Sequence, residues 1–576
     1  MHKMPIISSF VKYNFIFFPF TFGKMISSKR NYLFLIHLLF ACSVFSASPK
    51  PYTKYDYLHG KLNANRTWFD VTMYDITVKV NPQKKHISGS NTIIYAVLKG
   101  AKYMQLDLQG NIAVDSIICN GQPLKFTRDS SVILVTMPKQ KKKSVGRITV
   151  YFSGNPIEAK KAPWDGGFVF AKDSSGNDWV GLACQGMGAS AWLPCKDHLS
   201  DEADSVNVHL QVPENLTGVS NGRLVGEHLL NNGYKQFDWQ VRYPINNYNI
   251  TVNVGNYVLF TDEYTARIYP VPNPLQLSYY VLSYNLAKAK KHFKQVLGMM
   301  ACYERIIGTY PFWNDGYKLV ETPYWGMEHQ SAVSYGNNYN NNRWDFDFII
   351  IHESAHEWFG NSLTANDPAD LWIHESFTTY MESLYIECKD SKESALSYFK
   401  MQQRNIENQK SMLGDMDVYF HGFTDNDIYY KGSWMLATLR RVVNNDTLWF
   451  NTLREYCLTY RFVPLTTPDV INFFTTRTGK NLKPIFEQYL THIQLPEFEY
   501  RLEENANGML SLHYRWSKVV KGFEMPIYVT LTKNEFEPLM ANEGWRVVDL
   551  NYFDRSGFKI ESDFYLITIK ERKDLK

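Results

Sequence analysis

His352-Glu353-Ser354-Ala355-His356, then eighteen residues, then Glu375 within Trp372-Ile373-His374-Glu375-Ser376-Phe377: this stretch decides how the chain reads. In a helix turning about 100° per residue, His352 and His356 lie about 40° apart and one turn along the same face, so both imidazoles can reach one ion. Glu353 falls on the adjoining face. It is too close in sequence to bind the same metal comfortably, but it is placed to take a proton from a water, which makes it the candidate general base. Phe348, Ile349, Ile351, Ala355 and Phe359 supply apolar contacts for this helix, and Gly360-Asn361 offers a left-handed stop. Glu375 is expected on a second helix that opens after Asp367-Pro368 and runs through Leu371, Tyr380, Leu384 and Cys388. Two histidines and one carboxylate make a zinc site with an open position. Glu382, seven residues after Glu375 on the same face, could accept the free ring N–H of a liganding histidine; spacing alone equally allows an exposed helical glutamate.

A bare His-Glu-x-x-His pattern recurs by chance in helices, and the offset of Glu375 is what sets this one apart. The surrounding residues go further. His352 to Asn361 with Thr364, followed by Trp372 to Phe377, resembles the gluzincin aminopeptidases of the aminopeptidase N type, a family that includes the leukotriene hydrolases. Upstream, Tyr324-Trp325-Gly326-Met327-Glu328-His329-Gln330 matches the family's exopeptidase motif, usually read Gly-Ala-Met-Glu-Asn. Downstream, Tyr429-Tyr430-Lys431-Gly432 matches its Tyr-x-Lys-Gly segment. The resemblance continues more weakly through the chain after residue 50, including Ala162-Pro163-Trp164-Asp165-Gly166-Gly167 and Gln185 with Leu193-Pro194-Cys195.

The resemblance implies a zinc-dependent aminopeptidase holding one Zn2+ on His352, His356 and Glu375 and acting on peptides with free N-termini. Glu353 would be the general base, and Tyr429 would donate a hydrogen bond to the developing oxyanion. Glu328 would bind the free α-amine with Gln185 as helper, and the backbone of Gly326 and Met327 would hold the substrate. The chain also departs from the pattern. The usual Ala between Gly326 and Met327 is missing, His329 stands for Asn, and His374 and Ser376 stand for Asn and Gly; none removes a ligand, base or amine anchor. A zinc epoxide hydrolase, a zinc endopeptidase or a non-catalytic peptide-binding relative remain alternatives. Glu328 opposes the endopeptidase, while Glu353 and Tyr429 have no use in the non-catalytic relative.

Net charge of +4 gives no electrostatic case for nucleic acid or an anionic membrane as principal partner. The run Lys141 to Lys143 reads as a solvated turn. The beginning of the chain reads as an export signal: Lys29-Arg30 precede the apolar stretch Leu33 to Ala41, and Ser46-Ala47 offer a cleavage point, with Met25 an alternative start. The expected destination is periplasmic, secreted or, since Leu39-Phe40-Ala41-Cys42 resembles a bacterial lipobox, lipid-anchored at Cys42. Six further cysteines in the body are too few for a disulfide framework, although an oxidising compartment would permit a bridge; Cys184 and Cys195 are the nearest pair. Asn65, Asn215, Asn249 and Asn445 stand in glycosylation sequons.

The expected fold is multidomain α+β. A signal segment over 1–47 precedes a β-rich, saddle-like N-terminal domain over 48–260, with strands such as Thr72 to Val80 and Val206 to Val212. A thermolysin-like, mainly helical catalytic domain over 261–492 follows, opening with a helical pattern from Asn285 to Ile307 and containing a strand Tyr317 to Glu321 just before the exopeptidase motif. A small C-terminal β-sandwich over 493–576 closes the chain, with strands Ile527 to Leu531 and Phe564 to Thr568.

Overall fold

Phe69–Asn81 shows why the first half is sheet: Tyr74, Ile76, Val78 and Val80 are buried while Thr77 and Lys79 between them reach solvent, the period of two that covers one face. In the computed structural model, which describes residues 51–419 and 425–573, this strand lies at the centre of an eight-stranded sheet. It pairs antiparallel with His86–Val97 and parallel with Ser205–Pro213. A four-stranded sheet beside it contains Asp178–Ala183, whose C-terminal end delivers the loop carrying Gln185. The expected signal segment and Cys42 fall within residues 1–50 and lie outside the described residues.

A five-stranded sheet then leads into the helices, ordered Tyr257–Tyr264, Leu275–Leu282, Tyr317–Glu321, Val333–Tyr335, Gly326–Met327. Gly326 and Met327 thus form the edge, antiparallel to Val333–Tyr335 with Gly326 opposite Tyr335 and Met327 opposite Ser334. The expected helix from Asn285 to Ile307 is two helices, Leu286–His292 and Gln295–Ile307, separated at Phe293-Lys294. Helices continue to Thr491, and two small sheets of four and three strands follow. The strand expected at Phe564 to Thr568 is displaced: Phe564 has φ of 64°, which extended pairing does not accommodate, and the strand is Thr568–Glu571.

The molecule is therefore a β-rich N-terminal region followed by a helical region, mixed α+β overall. One apolar core lies among the N-terminal sheets, and a second runs from Tyr264 to Ile567, joining the helices to the last two sheets. Trp372–Lys389 is buried without interruption from Trp372 to Ile386 and so lacks a solvent stripe, as a helix at the centre of a core must. Asn249 is also buried, its amide donating to Asn361 Oδ1 at 2.8 Å, so this sequon is inaccessible to a glycan in the folded chain.

Cys184 and Cys195 are buried free thiols, and the bridge is instead Cys302–Cys388, joining helix Gln295–Ile307 to helix Trp372–Lys389. Pairing follows Cα separation in space, here 6.1 Å across 86 residues of chain, rather than proximity in sequence. Closing a loop of that size restricts the unfolded chain. Reduction, or Cys302→Ala with Cys388→Ala, is expected to lower unfolding stability by about 2–4 kcal/mol. Denaturant titrations with and without reductant check this; identical midpoints would contradict it.

Candidate metal centre

The first ligand helix, Phe348–Ala355, begins at Asp347, whose Oδ1 accepts from the backbone N–H of Ile349 at 3.0 Å. It ends earlier than the sequence implied. His356 is the C-terminal cap, still in right-handed geometry, and the turn at Gly360 follows with φ of 131°. His352 and His356 nevertheless keep their one-turn spacing, with ring centroids 4.9 Å apart. Glu375 enters from the first turn of Trp372–Lys389, after a short 3-10 turn at Pro368–Asp370 capped by Asp367.

The three expected ligands meet. Glu375 Oε2 lies 3.7 Å from His352 Nε2 and 3.4 Å from His356 Nε2, and it has no hydrogen-bond partner although buried. The other ring nitrogen of each histidine is already committed. His352 Nδ1 is 2.6 Å from Glu382 Oε1, while His356 Nδ1 is 2.8 Å from the Phe359 carbonyl oxygen and 3.1 Å from Thr378 Oγ1. Donation from Nδ1 leaves the Nε2 lone pairs turned to the space beside Glu375. Two imidazole lone pairs and one orphaned carboxylate oxygen converging in a buried space are a donor set that fits zinc.

Electrostatics support the same conclusion. Burial penalises the Glu375 charge, but His356 and His352 outweigh it and hold the carboxyl below the usual range. Burial would also lower both histidines, yet the nearby Glu375 carboxylate and the hydrogen bond to Glu382 raise His352 well above its ordinary value, and the charges of Glu375 and Glu328 bring His356 up to about 9. Burial raises Glu353 to about 7, with His352 opposing and Glu328 adding to the rise. Carboxylates and imidazoles crowded in one buried space hold on to protons, and a bound cation would take the place of those protons.

The remaining expected residues border the same space. Gln185 Nε2 donates to Glu328 Oε1 at 2.7 Å and to Glu375 Oε1 at 3.2 Å, bridging the N-terminal region to both carboxylates. Gly326 lies against Glu353: a methyl group there would stand 2.7 Å from Glu353 Oε1. The Tyr429 ring faces His352 at 6.2 Å, and its hydroxyl is kept protonated by burial and by the charges of Glu375, Glu328 and Glu353.

Several contributors were not read as site residues from the sequence. Tyr248 donates its hydroxyl to Glu328 Oε1 at 3.1 Å, and Asn361 Nδ2 donates to the Glu328 carbonyl at 2.8 Å. Tyr398 donates to Glu382 Oε2 at 2.6 Å. Nothing in local pattern distinguishes one tyrosine among 38. The departures from the motifs are structural braces. His329 is buried with Nδ1 3.0 Å from Ser334 Oγ, the His374 Nε2 accepts from the Ala365 N–H at 2.8 Å, and Ser376 Oγ donates to the Ile428 carbonyl at 2.7 Å, directly before Tyr429.

Glu382 orients His352 without entering the ligand set. Glu382→Gln is expected to weaken zinc binding about 10- to 100-fold with the fold intact. Competition against a chromophoric chelator measures this, and unchanged affinity would remove Glu382 from the site.

Comparisons with known proteins agree with this geometry. Residues 327–489 match the Peptidase family M1 domain. Over 400 residues the chain is 21% identical to leucyl aminopeptidase of Saccharolobus solfataricus, covering 65% of this chain and 47% of that protein. It is 22% identical over 301 residues to aminopeptidase B of Mus musculus, covering 49% and 44%. The matches thus span about half the length of these curated relatives. An M1 zinc metallopeptidase of Deinococcus radiodurans, solved with a Tyr-Ser-Ala substrate, superposes with a TM-score of 0.65 at 21% identity, covering 75% of this chain and 96% of that one. The chain thus carries a stretch matching the Peptidase family M1 domain, on a fold similar to that of a solved M1 zinc metallopeptidase and around a donor set that fits zinc.

Proposed function

We propose that this protein is a zinc aminopeptidase that removes N-terminal residues from peptides, with one ion held by His352, His356 and Glu375. The observation that carries this reading is the bridge from Gln185 to both Glu328 and Glu375. It sets a buried carboxylate, restrained by Gln185 and Tyr248, one side chain away from a metal ligand. A buried anion in that position calls for a cationic partner, and in a peptide bound over the metal site the free α-ammonium provides it. The aminopeptidase names of the similar proteins support the reading.

Zinc, when bound, supplies Lewis-acid polarisation of the scissile carbonyl and eases deprotonation of a water. Glu353 takes the proton of the attacking water and passes it to the departing amine. Tyr429 donates its hydroxyl hydrogen to the carbonyl oxygen as negative charge develops, an effect of about 3 kcal/mol in comparable sites. Glu328 and Gln185 hold the α-amine, and the edge backbone of Gly326–Met327 accepts the extended peptide as an added strand. The side of that edge not paired with Val333–Tyr335 is the one the substrate would take.

Two outcomes test these assignments. Glu353→Gln leaves the donor set intact while removing the base, so metal content should persist while turnover falls by about three orders of magnitude or more. Loss of metal in that variant would reassign the residue. N-terminal acetylation should slow cleavage about a hundredfold or more, because Glu328 is then left buried and unpaired. Glu328→Gln should slow hydrolysis of free peptides and shrink the difference between free and acetylated ones. Equal cleavage of acetylated peptides at internal bonds by the unaltered protein would replace this reading with an endopeptidase.

A further inference from the structure

A file of aromatic rings leads from the candidate metal centre to the surface. From Tyr429 the ring of His352 is 6.2 Å away, from His352 that of Phe348 is 5.1 Å, from Phe348 that of Trp325 is 5.4 Å, and from Trp325 that of Trp164 is 6.0 Å. The inner members are fixed in packing, but the last two are open to solvent, Trp325 at 42% and Trp164 at 62%. Two adjoining exposed tryptophans form a sizeable apolar surface, which solution exposure alone disfavours.

Both rings sit on ordered backbone. The indole N–H of Trp325 donates to Asn337 Oδ1 at 3.1 Å, and its face stacks on Phe348 at an interplanar angle of 25°. The Trp164 loop is tied by Asp165 Oδ2, which accepts from the N–H groups of Lys160 and Lys161 at 2.6 and 2.8 Å. Gly166 and Gly167 turn it back with φ of 67° and 117°, and a side chain at Gly167 would meet the Ile157 carbonyl at 2.6 Å. Such a preformed surface binds with little ordering cost.

Its place relative to the strand edge suggests the occupant. Trp325 directly precedes edge strand Gly326–Met327, and Glu328 directly follows it. A peptide with its amine at Glu328 runs antiparallel along this edge, advancing about 3.3 Å per residue. Trp325, three positions back from Glu328, therefore lies about 10 Å along, beyond the first residue of the peptide. We infer that Trp164, Trp325 and Phe348 form an aromatic subsite for the side chain of the second or third residue of the substrate, so that the enzyme favours peptides with an aromatic or large aliphatic residue there. This rests on the aminopeptidase reading.

The test uses the metal-loaded full chain with the peptides Ala-X-Ala-Ala and Ala-Ala-X-Ala, where X is Phe, Leu, Gly or Asp. At one of the two positions, kcat/KM should be about tenfold higher for Phe than for Gly. Trp325→Ala and Trp164→Ala should each bring that ratio toward one, and Trp325→Phe should restore part of it. The preference among first residues, measured on aminoacyl amides, should keep its order in these variants. Metal content and thermal unfolding of each variant show whether it is folded. Hydrolysis that ignores X at both positions, or a Phe preference that survives both alanine substitutions, overturns the subsite while leaving the aminopeptidase standing. Failure to hydrolyse any free peptide or amide overturns the aminopeptidase reading, and the subsite with it.

Discussion

The site depends on one uncompensated group: Glu375 Oε2, buried, facing two imidazole Nε2 atoms and hydrogen-bonded to nothing. A desolvated carboxylate is costly unless positive charge is brought to it, and the surrounding architecture supplies a place for that charge. Glu382 and the Phe359 carbonyl engage the far nitrogens of the histidines, which aims the near ones inward. Helix Trp372–Lys389 mounts both Glu375 and Glu382, and its burial from Trp372 to Ile386 holds their separation rigidly.

The site is shared between the β-rich and helical regions. Gln185 and Tyr248 reach Glu328 from the N-terminal side, Asn249 steadies Asn361, and Thr364 donates to Glu202 at 2.5 Å. Lys318 adds a buried hydrogen bond from its ammonium to the Gly222 carbonyl. These contacts are polar and buried or partly buried, so they are strongest when the two surfaces are in register. The helical region alone would carry the metal ligands while leaving the Glu328 carboxylate without its two partners. Selection of a peptide end, as we propose it, is therefore a property of the interface, whereas metal binding belongs to the helices.

The departures from the family motifs take on a physical sense in this arrangement. Ser376, where glycine is usual, lies opposite Gly432, and its hydroxyl ties the Ile428 carbonyl to the helix that bears Glu375. His374 is uncharged, its pKa lowered to about 3 by burial, and accepts a backbone N–H from the loop after the first ligand helix. Neither residue adds a charge to the pocket, and each joins two of the segments that carry site residues.

Helical periodicity put His352 with His356, and Glu375 with Glu382, on common faces, and the offset of Glu375 from His356 suggested the candidate ligand set. Alternation likewise marked Thr72 to Val80 and Val206 to Val212, which lie within strands Phe69–Asn81 and Ser205–Pro213. Family resemblance, rather than periodicity, singled out Gln185, Glu328 and Tyr429. Tertiary structure decided what depends on distant segments meeting: the Cys302–Cys388 bridge, the burial of Asn249, the early end of the ligand helix at Ala355, and the partners Tyr248 and Tyr398. Local sequence encodes periodicity and capping; which side chain is buried beside which charge is settled only when the sheets and helices pack.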